Sequence, residues 1–236
     1  MNRTGIEYLD FTWNPIVGCS GFGCAVKNAC WAKGQAKRRK HECNDCYTFT
    51  PHLHDERLNQ PLQRRAPSRI GVCFMSDLFG DFVQIEWTEQ VFKVMKWAPW
   101  HTFLCLTKQA HNLVRKETPV FPSNVWMGVS VNCVRDLERL EYLKQCDAKV
   151  KFGSFEPLFE DLGSFDLTGI DWIVIGAQKR PTIQPKTEWV EKLIQVADNA
   201  GCKIFMKNNL ECRVKLEYFL KRGFEEIPEV KIKCQQ

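Results

Sequence analysis

Short apolar runs of strand length alternate along the chain with longer amphipathic stretches, and this rhythm constrains the fold more than any other feature. The runs are rich in Val, Ile, Phe and Trp, as buried parallel strands are. They are Ile70–Met75, Thr102–Leu106, Val125–Val131, Lys149–Phe152, Trp172–Ile175 and Lys203–Met206, with an earlier run near Tyr8–Trp13. The stretches with helical periodicity are Trp87–Trp97, Arg135–Gln145 and Glu188–Asn199. Strands separated by helices predict βα units around a parallel sheet.

The predicted fold class is α/β, with the seven strands forming a (β/α) barrel or a partial TIM-type barrel. We interpret residues 1–236 as a single domain, because α/β barrels of roughly 200–250 residues form one unit. No apolar run approaches the roughly 18 residues that a membrane helix needs. The N-terminus lacks a basic region followed by an apolar stretch, so it is not a secretory signal. We therefore expect a cytoplasmic protein with no membrane partner, in a compartment where thiols stay reduced.

Polar side chains follow six of the apolar runs at the point where each run ends. The loops after the carboxyl ends of the strands carry the chemistry in βα barrels, so we expect these side chains to meet at one rim. Asp77, Lys108 and Glu156 are candidate catalytic residues, because they are chargeable and directly follow buried runs. Asp77 has a structural alternative, which is to cap the following helix. The candidate cofactor-binding residues are Ser76, Ser130, Asn132, Ser154, Gln178, Lys207 and Asn208.

Five of the 12 cysteines crowd together near the N-terminus, inside a Cys-rich, basic segment that spans residues 19–69. They are Cys19, Cys24, Cys30, Cys43 and Cys46. Three thiolates in a Gly-rich loop suit an iron–sulfur cubane with one open iron. Four thiolates spaced C-x5-C-x12-C-x2-C, from Cys24 to Cys46, suit a closed zinc site instead. A third arrangement combines a three-Cys cluster with a separate use of Cys43 and Cys46. The spacing indicates a metal and leaves these alternatives open.

Two histidines and the remaining cysteines complete the set of candidate ligands. His52 and His54 alternate in Pro51-His52-Leu53-His54, as if both imidazoles faced one side of an extended segment. Such a pair is near the metal, contacts substrate, or consists of ordinary surface histidines. The other seven cysteines are scattered, and we expect them to be small buried hydrophobes. They are Cys73, Cys105, Cys133, Cys146, Cys202, Cys212 and Cys234.

Basic residues concentrate between Lys27 and Arg69. This stretch holds ten Lys and Arg residues against four acids, so its net charge of +6 exceeds the +5 of the whole chain. A local positive field attracts polyanions, which makes DNA or RNA a candidate partner. The alternative is a solvated helix face beside a metal site.

Several sequence blocks resemble a known family. They are Thr12-Trp13-Asn14-Pro15-Ile16-Val17-Gly18-Cys19, Pro51-His52-Leu53-His54-Asp55-Glu56-Arg57-Leu58, Met75-Ser76-Asp77-Leu78-Phe79, Leu106-Thr107-Lys108, Val125-Trp126-Met127-Gly128-Val129-Ser130-Val131, Ser154-Phe155-Glu156-Pro157-Leu158 and Asp171-Trp172-Ile173-Val174-Ile175-Gly176. In these blocks the chain is similar to the phage-encoded proteins of unknown function that carry a three-cysteine motif. That family is regarded as similar to radical S-adenosylmethionine (SAM) enzymes.

The resemblance implies a partial (β/α) barrel of the radical-SAM kind with a Cys loop after the first strand. It also implies a [4Fe-4S] cluster on Cys19, Cys24 and Cys30, SAM at the open iron, and an external electron donor. The spacing here departs from the radical-SAM pattern, which is C-x3-C-x2-C with an aromatic residue before the third cysteine. This chain has C-x4-C-x5-C, with Trp31 after the third cysteine.

Three hypotheses of function follow from these observations. The first is an iron–sulfur enzyme that generates a 5′-deoxyadenosyl radical to modify an unknown substrate, which includes nucleic acid among its candidates. The second is a zinc-stabilised protein of phage or mobile-element origin that binds or modifies nucleic acid without SAM chemistry. The third is an interaction module that kept the barrel and lost catalysis.

Overall fold

The computed structural model describes residues 1–21, 23–212 and 227–228. Its strands are β1 (Asn2–Arg3), β2 (Phe11–Trp13), β3 (Ile16–Val17), β4 (His52–Leu53), β5 (Arg69–Val72), β6 (Thr102–Thr107), β7 (Val125–Ser130), β8 (Val150–Phe155), β9 (Trp172–Ile175), β10 (Gln178–Lys179), β11 (Thr182–Ile183) and β12 (Lys203–Met206). Its α-helices are α1 (Trp31–Ala36), α2 (Asn44–Thr48), α3 (Asp55–Leu58), α4 (Gln60–Gln63), α5 (Ile85–Trp97), α6 (Glu138–Gln145) and α7 (Thr187–Asn199). Short 3-10 helices span Lys27–Ala29, Lys37–Arg39, Ala110–Val114 and Val134–Asp136.

Eight of these strands are hydrogen-bonded in the order β1-β2-β5-β6-β7-β8-β9-β12. β1 is antiparallel to β2, whereas β2 and β5, β5 and β6, β8 and β9, and β9 and β12 are parallel pairs. The predicted α/β class and the mostly parallel sheet are therefore confirmed. Among the described strands the order has two ends and does not close, so the predicted closed barrel is not confirmed.

The chain divides into two compact units. Unit 1 contains Met1–Met127 and Cys146–Lys149, and unit 2 contains Gly128–Gln145 and the described residues of Val150–Glu229. The assignment of the whole chain to one domain stays a prediction.

Unit 1 is built on three neighbouring parallel strands with large apolar side chains in register. Ile70 of β5 lies opposite Phe11 of β2 on one side and Phe103 of β6 on the other. Trp13 is fully buried, and its ring centroid lies 5.8 Å from that of Phe103. α5 turns an apolar stripe inward, with Val91 and Met95 buried at i, i+4 spacing. Each such side chain contributes roughly 1.5–3 kcal/mol on burial, so these strands form a rigid base for the loops at their ends.

Unit 2 repeats the same construction on β8, β9 and β12. Phe152 pairs in register with Trp172, which in turn lies opposite Lys203. The Trp172 ring centroid lies 5.4 Å from that of Phe152 and 6.2 Å from that of Phe205. Trp172 and Phe155 of this unit are fully buried.

The predicted elements differ from the observed ones mainly at their ends. The run Ile70–Met75 stops being a strand at Val72, because Cys73 adopts a positive φ of 55° and the chain turns there. The predicted helix Arg135–Gln145 is divided into a 3-10 turn, Val134–Asp136, followed by α6. The strands predicted at Trp172–Ile175 and Lys203–Met206 have those bounds.

Cys73, Cys105, Cys146 and Cys202 are buried as predicted, whereas Cys133 and Cys212 are half-buried. Cys234 lies outside the described residues. None of the helices in the described ranges combines the length and the apolar character required to cross a bilayer.

Candidate metal centre and strand-end groups

Cys43, Cys46, His52 and His54 come together through a short helix and a short strand of unit 1. Cys43 precedes α2, and its Sγ accepts a hydrogen bond at 3.4 Å from the backbone N–H of Cys46. This contact folds the C-x2-C pair back on itself, so both thiols face the same side. α2 ends at Thr48, and the next residue, Phe49, has a φ of 62° that turns the chain toward β4. β4 contains His52, and His54 follows it directly. Alternate residues of an extended segment share a face, so both imidazoles lie toward the thiols.

The four ligand atoms lie within 4.8 Å of one another. His52 Nε2 lies 3.5 Å from the Sγ of Cys43 and 3.5 Å from that of Cys46. His54 Nε2 lies 3.2 Å from Cys46 Sγ and 2.8 Å from His52 Nε2. Two soft sulfur donors and two imidazole nitrogens at this spacing could bind a metal such as zinc.

Each imidazole is oriented through its other ring nitrogen. His52 Nδ1 lies 2.8 Å from the Thr50 carbonyl oxygen, and His54 Nδ1 lies 2.8 Å from a carboxylate oxygen of Glu56. Both oxygens are acceptors, so they assign a proton to each Nδ1 and leave the Nε2 lone pair of a neutral ring facing the thiols. Burial lowers the pKa of His54, and the nearby Arg57 charge lowers it further. The hydrogen bond that His54 donates to the Glu56 carboxylate acts in the opposite direction and raises this pKa.

Cys19, Cys24 and Cys30 form a second group of thiols. Cys19 Sγ accepts a hydrogen bond at 3.2 Å from the N–H of Gly21, and Cys30 Sγ accepts one at 3.4 Å from the N–H of Lys33 at the start of α1. Burial raises the pKa of the Cys19 thiol, the Gly21 N–H lowers it, and the charges of Asp77, Cys24 and Cys30 raise it.

The structure groups Cys43 and Cys46 with two histidines. Cys43 and Cys46 have histidines as close partners rather than Cys24 and Cys30, so the four-thiolate zinc set is not the one that the geometry favours. Which of the five bind a metal stays a prediction.

Backbone contacts connect the two groups through Gly18. The N–H of Cys19 donates to the Phe49 carbonyl at 3.3 Å. Gly18 has a φ of 99°, and a Cβ there would lie 2.3 Å from the Thr50 carbonyl oxygen, which is the acceptor for His52. On its other side, the Gly18 carbonyl accepts a hydrogen bond at 2.6 Å from the Ser76 hydroxyl. Ser76, predicted to bind a cofactor, therefore supports the Cys loop.

Asp77 lies at 7% exposure after β5, and each of its carboxylate oxygens is hydrogen-bonded. Oδ1 accepts from the Thr107 hydroxyl at 2.7 Å and from the Phe79 N–H at 3.1 Å. Oδ2 accepts from the backbone N–H of Lys108 at 2.8 Å. The expected helix cap is not formed, because α5 begins only at Ile85. Asp77 instead joins the ends of β5 and β6.

In unit 2, Glu156 and Lys207 form an ion pair at the ends of β8 and β12. The Lys207 side chain is 7% exposed and that of Glu156 is 22% exposed. A Cβ on Gly176 would lie 3.0 Å from Glu156 Cγ and 3.2 Å from Lys207 Cδ, so the glycine leaves room for the pair. Two oppositely charged strand-end groups therefore meet in this unit.

The other predicted cofactor-binding residues of unit 2 have different surroundings. Ser130 and Ser154 are buried at the ends of β7 and β8. Asn132 is fully buried, and its Nδ2 donates to the Pro157 carbonyl at 2.8 Å, next to Glu156. Gln178 lies half-buried in the β10–β11 hairpin, and Asn208 is exposed. Neither residue is buried as the side chains around an enclosed cofactor are.

A buried ion pair that the sequence did not reveal holds the end of β7. Asp136 is 1% exposed, and its Oδ1 lies 2.8 Å from a guanidinium nitrogen of Arg139. Arg139 also donates to the Ser130 carbonyl at 2.7 Å, and Asp136 Oδ2 accepts from the Asn132 N–H at 3.0 Å. The only sequence signal is an opposite-charge pair at i, i+3, which is usual on any exposed helix.

The basic segment exposes its charges unevenly. Around α1 the exposed basic residues are Lys27, Lys33, Lys37, Arg38 and Lys40. Trp31 is 56% exposed and Tyr47 is 39% exposed among them. Farther along, Arg64 lies over the Phe11 ring at 4.4 Å and Arg57 donates to the Asn14 carbonyl, so these charges support local structure.

Two glycines of this segment make a matched pair for testing the geometry. Gly18→Ala is expected to destabilise the protein by about 2–4 kcal/mol, because it combines a left-handed φ with a backbone clash. Gly34→Ala, in α1 with no atom within 4 Å of the new Cβ, is expected to stabilise it by about 0.5–1 kcal/mol. Denaturant unfolding of both variants measures the difference. Equal stability of the two variants would contradict the tight approach of Gly18 to Thr50.

The chain was compared with protein families, curated proteins and solved structures. The family described as "Protein of unknown function (DUF5131)" matches residues 3–219. No curated protein and no solved structure matches the chain. Because the family match covers most of the sequence, the chain belongs to the DUF5131 family of proteins of unknown function.

Proposed function

We propose that this protein is an iron–sulfur enzyme of the radical-SAM type. The observation that carries the proposal is that the loop bearing Cys19, Cys24 and Cys30 starts at the carboxyl end of β5, where the Gly18 N–H donates to the Met75 carbonyl at 3.1 Å and the Gly18 carbonyl accepts from the Ser76 hydroxyl at 2.6 Å. A [4Fe-4S] cluster held by these thiols would pass one electron from an external donor to SAM, so that a C–S bond of SAM would break to give methionine and a 5′-deoxyadenosyl radical able to abstract hydrogen from a substrate.

The donor set fits such a cluster in number and in chemistry. Three thiolates bind three irons and leave the fourth for SAM. Gly21 and Gly23 have φ values of 71° and 66°, which lets the loop between Cys19 and Cys24 turn tightly. The backbone N–H groups of Gly21 and Lys33 already donate hydrogen bonds to Cys19 Sγ and Cys30 Sγ.

The remaining roles are assigned to the strand ends of each unit. In unit 1, Asp77 fixes the backbone of Lys108, and we assign the Lys108 side chain to an anionic group such as the SAM carboxylate. In unit 2, Glu156 and Lys207 offer a carboxylate and an ammonium group to a polar ligand. The proposal includes a partial (β/α) barrel of the radical-SAM kind, kinship with phage-encoded proteins and a cytoplasmic location.

The test is anaerobic reconstitution with iron and sulfide. We expect a brown protein with roughly four irons and four sulfides per chain, which forms 5′-deoxyadenosine from SAM after chemical reduction. Single Cys→Ala changes at Cys19, Cys24 and Cys30 should abolish this product. Cys133→Ala, which removes a half-buried thiol of unit 2, serves as the matched control. A colourless reconstituted protein that carries only zinc and leaves SAM intact would refute the proposal.

A second candidate function is favoured by the exposed surface around α1. Trp31 and Tyr47 are exposed among lysines, and aromatic faces beside cations suit unpaired bases and phosphates. The second candidate is a zinc-stabilised protein that binds or modifies DNA or RNA without SAM chemistry. It is preferred if the reconstituted protein leaves SAM intact but binds single-stranded nucleic acid with an affinity that falls as salt is raised. If both activities are present, nucleic acid is the substrate class of the radical enzyme.

A further inference from the structure

We propose that Cys43, Cys46, His52 and His54 form a closed, structural zinc site, which is separate from the three thiols assigned to the cluster and fixes the turn on which Cys19 rests. The inference does not depend on the proposed function. It follows from the arrangement of lone pairs, from the ligand spacing and from the burial of the site.

The two imidazoles face each other in a way that requires a positive charge between them. Both Nδ1 atoms donate to oxygen acceptors, so in the neutral rings both Nε2 atoms carry lone pairs. Those lone pairs lie 2.8 Å apart, which is repulsive unless a cation or a proton lies between them. A metal cation bound by both Nε2 atoms removes this repulsion.

The spacing of the donor atoms fits a single tetrahedral ion. Zinc bonds of about 2.0–2.1 Å to nitrogen and 2.3 Å to sulfur give edges of about 3.3 Å between nitrogens and 3.6 Å between nitrogen and sulfur. The observed sulfur–nitrogen distances of 3.2–3.5 Å and the nitrogen–nitrogen distance of 2.8 Å lie within about 0.5 Å of these edges, and all four donor atoms lie within 4.8 Å of one another. A Cys2His2 iron–sulfur cluster binds its thiolates and imidazoles to different irons, and these short sulfur–nitrogen contacts exclude that arrangement.

The site is closed rather than catalytic. Four protein ligands complete the tetrahedral shell and leave no position for water or substrate. Cys46 is 1% exposed and His54 is 8% exposed, so the centre is covered on the side of these ligands. Its outer contacts are also complete, because Thr50 and Glu56 orient the two rings.

The proposed ion stabilises the turn at Phe49 and Thr50, on which the first cysteine of the Cys loop, Cys19, rests. Phe49 and Thr50 lie between the C-x2-C pair and the histidines, so a bound ion closes the chain around them. The Phe49 carbonyl accepts from the Cys19 N–H, and Thr50 packs against Gly18. Zinc therefore holds the turn that carries the first thiol of the second group.

Metal analysis of protein purified without added metal tests the site directly. We expect one zinc per chain by elemental analysis and native mass spectrometry. Cys43→Ser and His52→Ala should each lose this zinc and lower the melting temperature by roughly 5 °C or more. The matched control is His41→Ala, an exposed histidine of the same segment, which should keep both the zinc and the melting temperature.

Two further measurements keep the proposal testable if the variants do not fold. In the wild-type protein, cobalt exchanged for zinc should show the intense visible bands of a tetrahedral ion and a thiolate charge-transfer band. Mass-spectrometric mapping should show that Cys43 and Cys46 resist alkylation until a chelator is added. Wild-type protein without metal, or zinc that is lost from a Cys19→Ala, Cys24→Ala, Cys30→Ala triple variant but kept by Cys43→Ser, would overturn the assignment. The first of these outcomes identifies a shared proton as the bridge between the histidines.

Discussion

Replacing Arg139 by methionine is expected to lower the free energy of unfolding by about 3–5 kcal/mol. Arg139 is the close cationic partner of Asp136, whose side chain is 1% exposed, and it also satisfies the Ser130 carbonyl. Methionine keeps the bulk of the side chain but leaves a buried carboxylate without its ion pair. The cost therefore comes from an uncompensated charge rather than from a cavity. Denaturant unfolding of unmodified and Arg139→Met protein measures it.

The neighbouring Arg135 supplies the control. Its side chain is 68% exposed, and its Nε lies 3.8 Å from Asp136, so Arg135→Met should change stability by no more than about 0.5 kcal/mol. Adding Asp136→Asn to Arg139→Met should recover part of the loss, because the amide removes the buried charge and keeps an acceptor for Asn132. No recovery in the double variant would show that the loss comes from packing and not from charge.

The sheet could be predicted from the sequence because its strands are buried on both faces. Strands of this kind appear as continuous apolar runs, and their centres coincide with the observed registers, as at Trp172–Ile175. The strand ends were less predictable, since they depend on single backbone torsions. Cys73 ends β5 through a positive φ that its residue type does not indicate.

The candidate site was predictable as a region but not as a set of partners. The spacing of Cys43 and Cys46 indicates a metal, and the alternation of His52 and His54 indicates a shared face. Their meeting depends on the turn at Phe49 and on the pairing of β4 with β3, which are tertiary features. The same limit applies to Lys207, which is far from Glu156 in sequence and pairs with it through parallel strand order.

Assigning Cys43 and Cys46 to a zinc site of their own changes the role that remains for Cys19, Cys24 and Cys30 in the basic segment. If zinc is held by Cys43, Cys46 and two histidines, the first three thiols need no structural metal of their own. They are then free to hold a reactive centre at the end of a strand, as the proposed function requires. α1 lies between the two groups in sequence and is charged on its exposed side. Its buried residues, Ala32 and Ala36, pack with Val17, Cys46 and Phe49, and this packing keeps the stretch ordered.

Asp77→Ala is expected to lower the free energy of unfolding by about 2–4 kcal/mol and to reduce SAM cleavage by the reconstituted enzyme. The carboxylate accepts three hydrogen bonds, and two of the donors are the backbone N–H groups of Phe79 and Lys108. Alanine leaves these donors without an acceptor, so the loop after β6 is no longer fixed to the end of β5. Denaturant unfolding measures the first effect, and formation of 5′-deoxyadenosine below the melting temperature measures the second.

The pattern of variants at this position distinguishes a positioning role from a purely structural one. Asp77→Asn retains one acceptor oxygen, so we expect about half of the stability loss and a partial return of SAM cleavage. Asp81→Ala removes a carboxylate that is 50% exposed and paired with Arg115, and it should cost no more than about 1 kcal/mol. Asp77 accepts its hydrogen bonds from Phe79, Thr107 and Lys108. We therefore expect all three variants to keep their iron and sulfide, while the rate of SAM cleavage falls in those that weaken the hydrogen bond to Lys108. Loss of iron together with cleavage in Asp77→Asn would instead place this carboxylate in the support of the Cys19 loop.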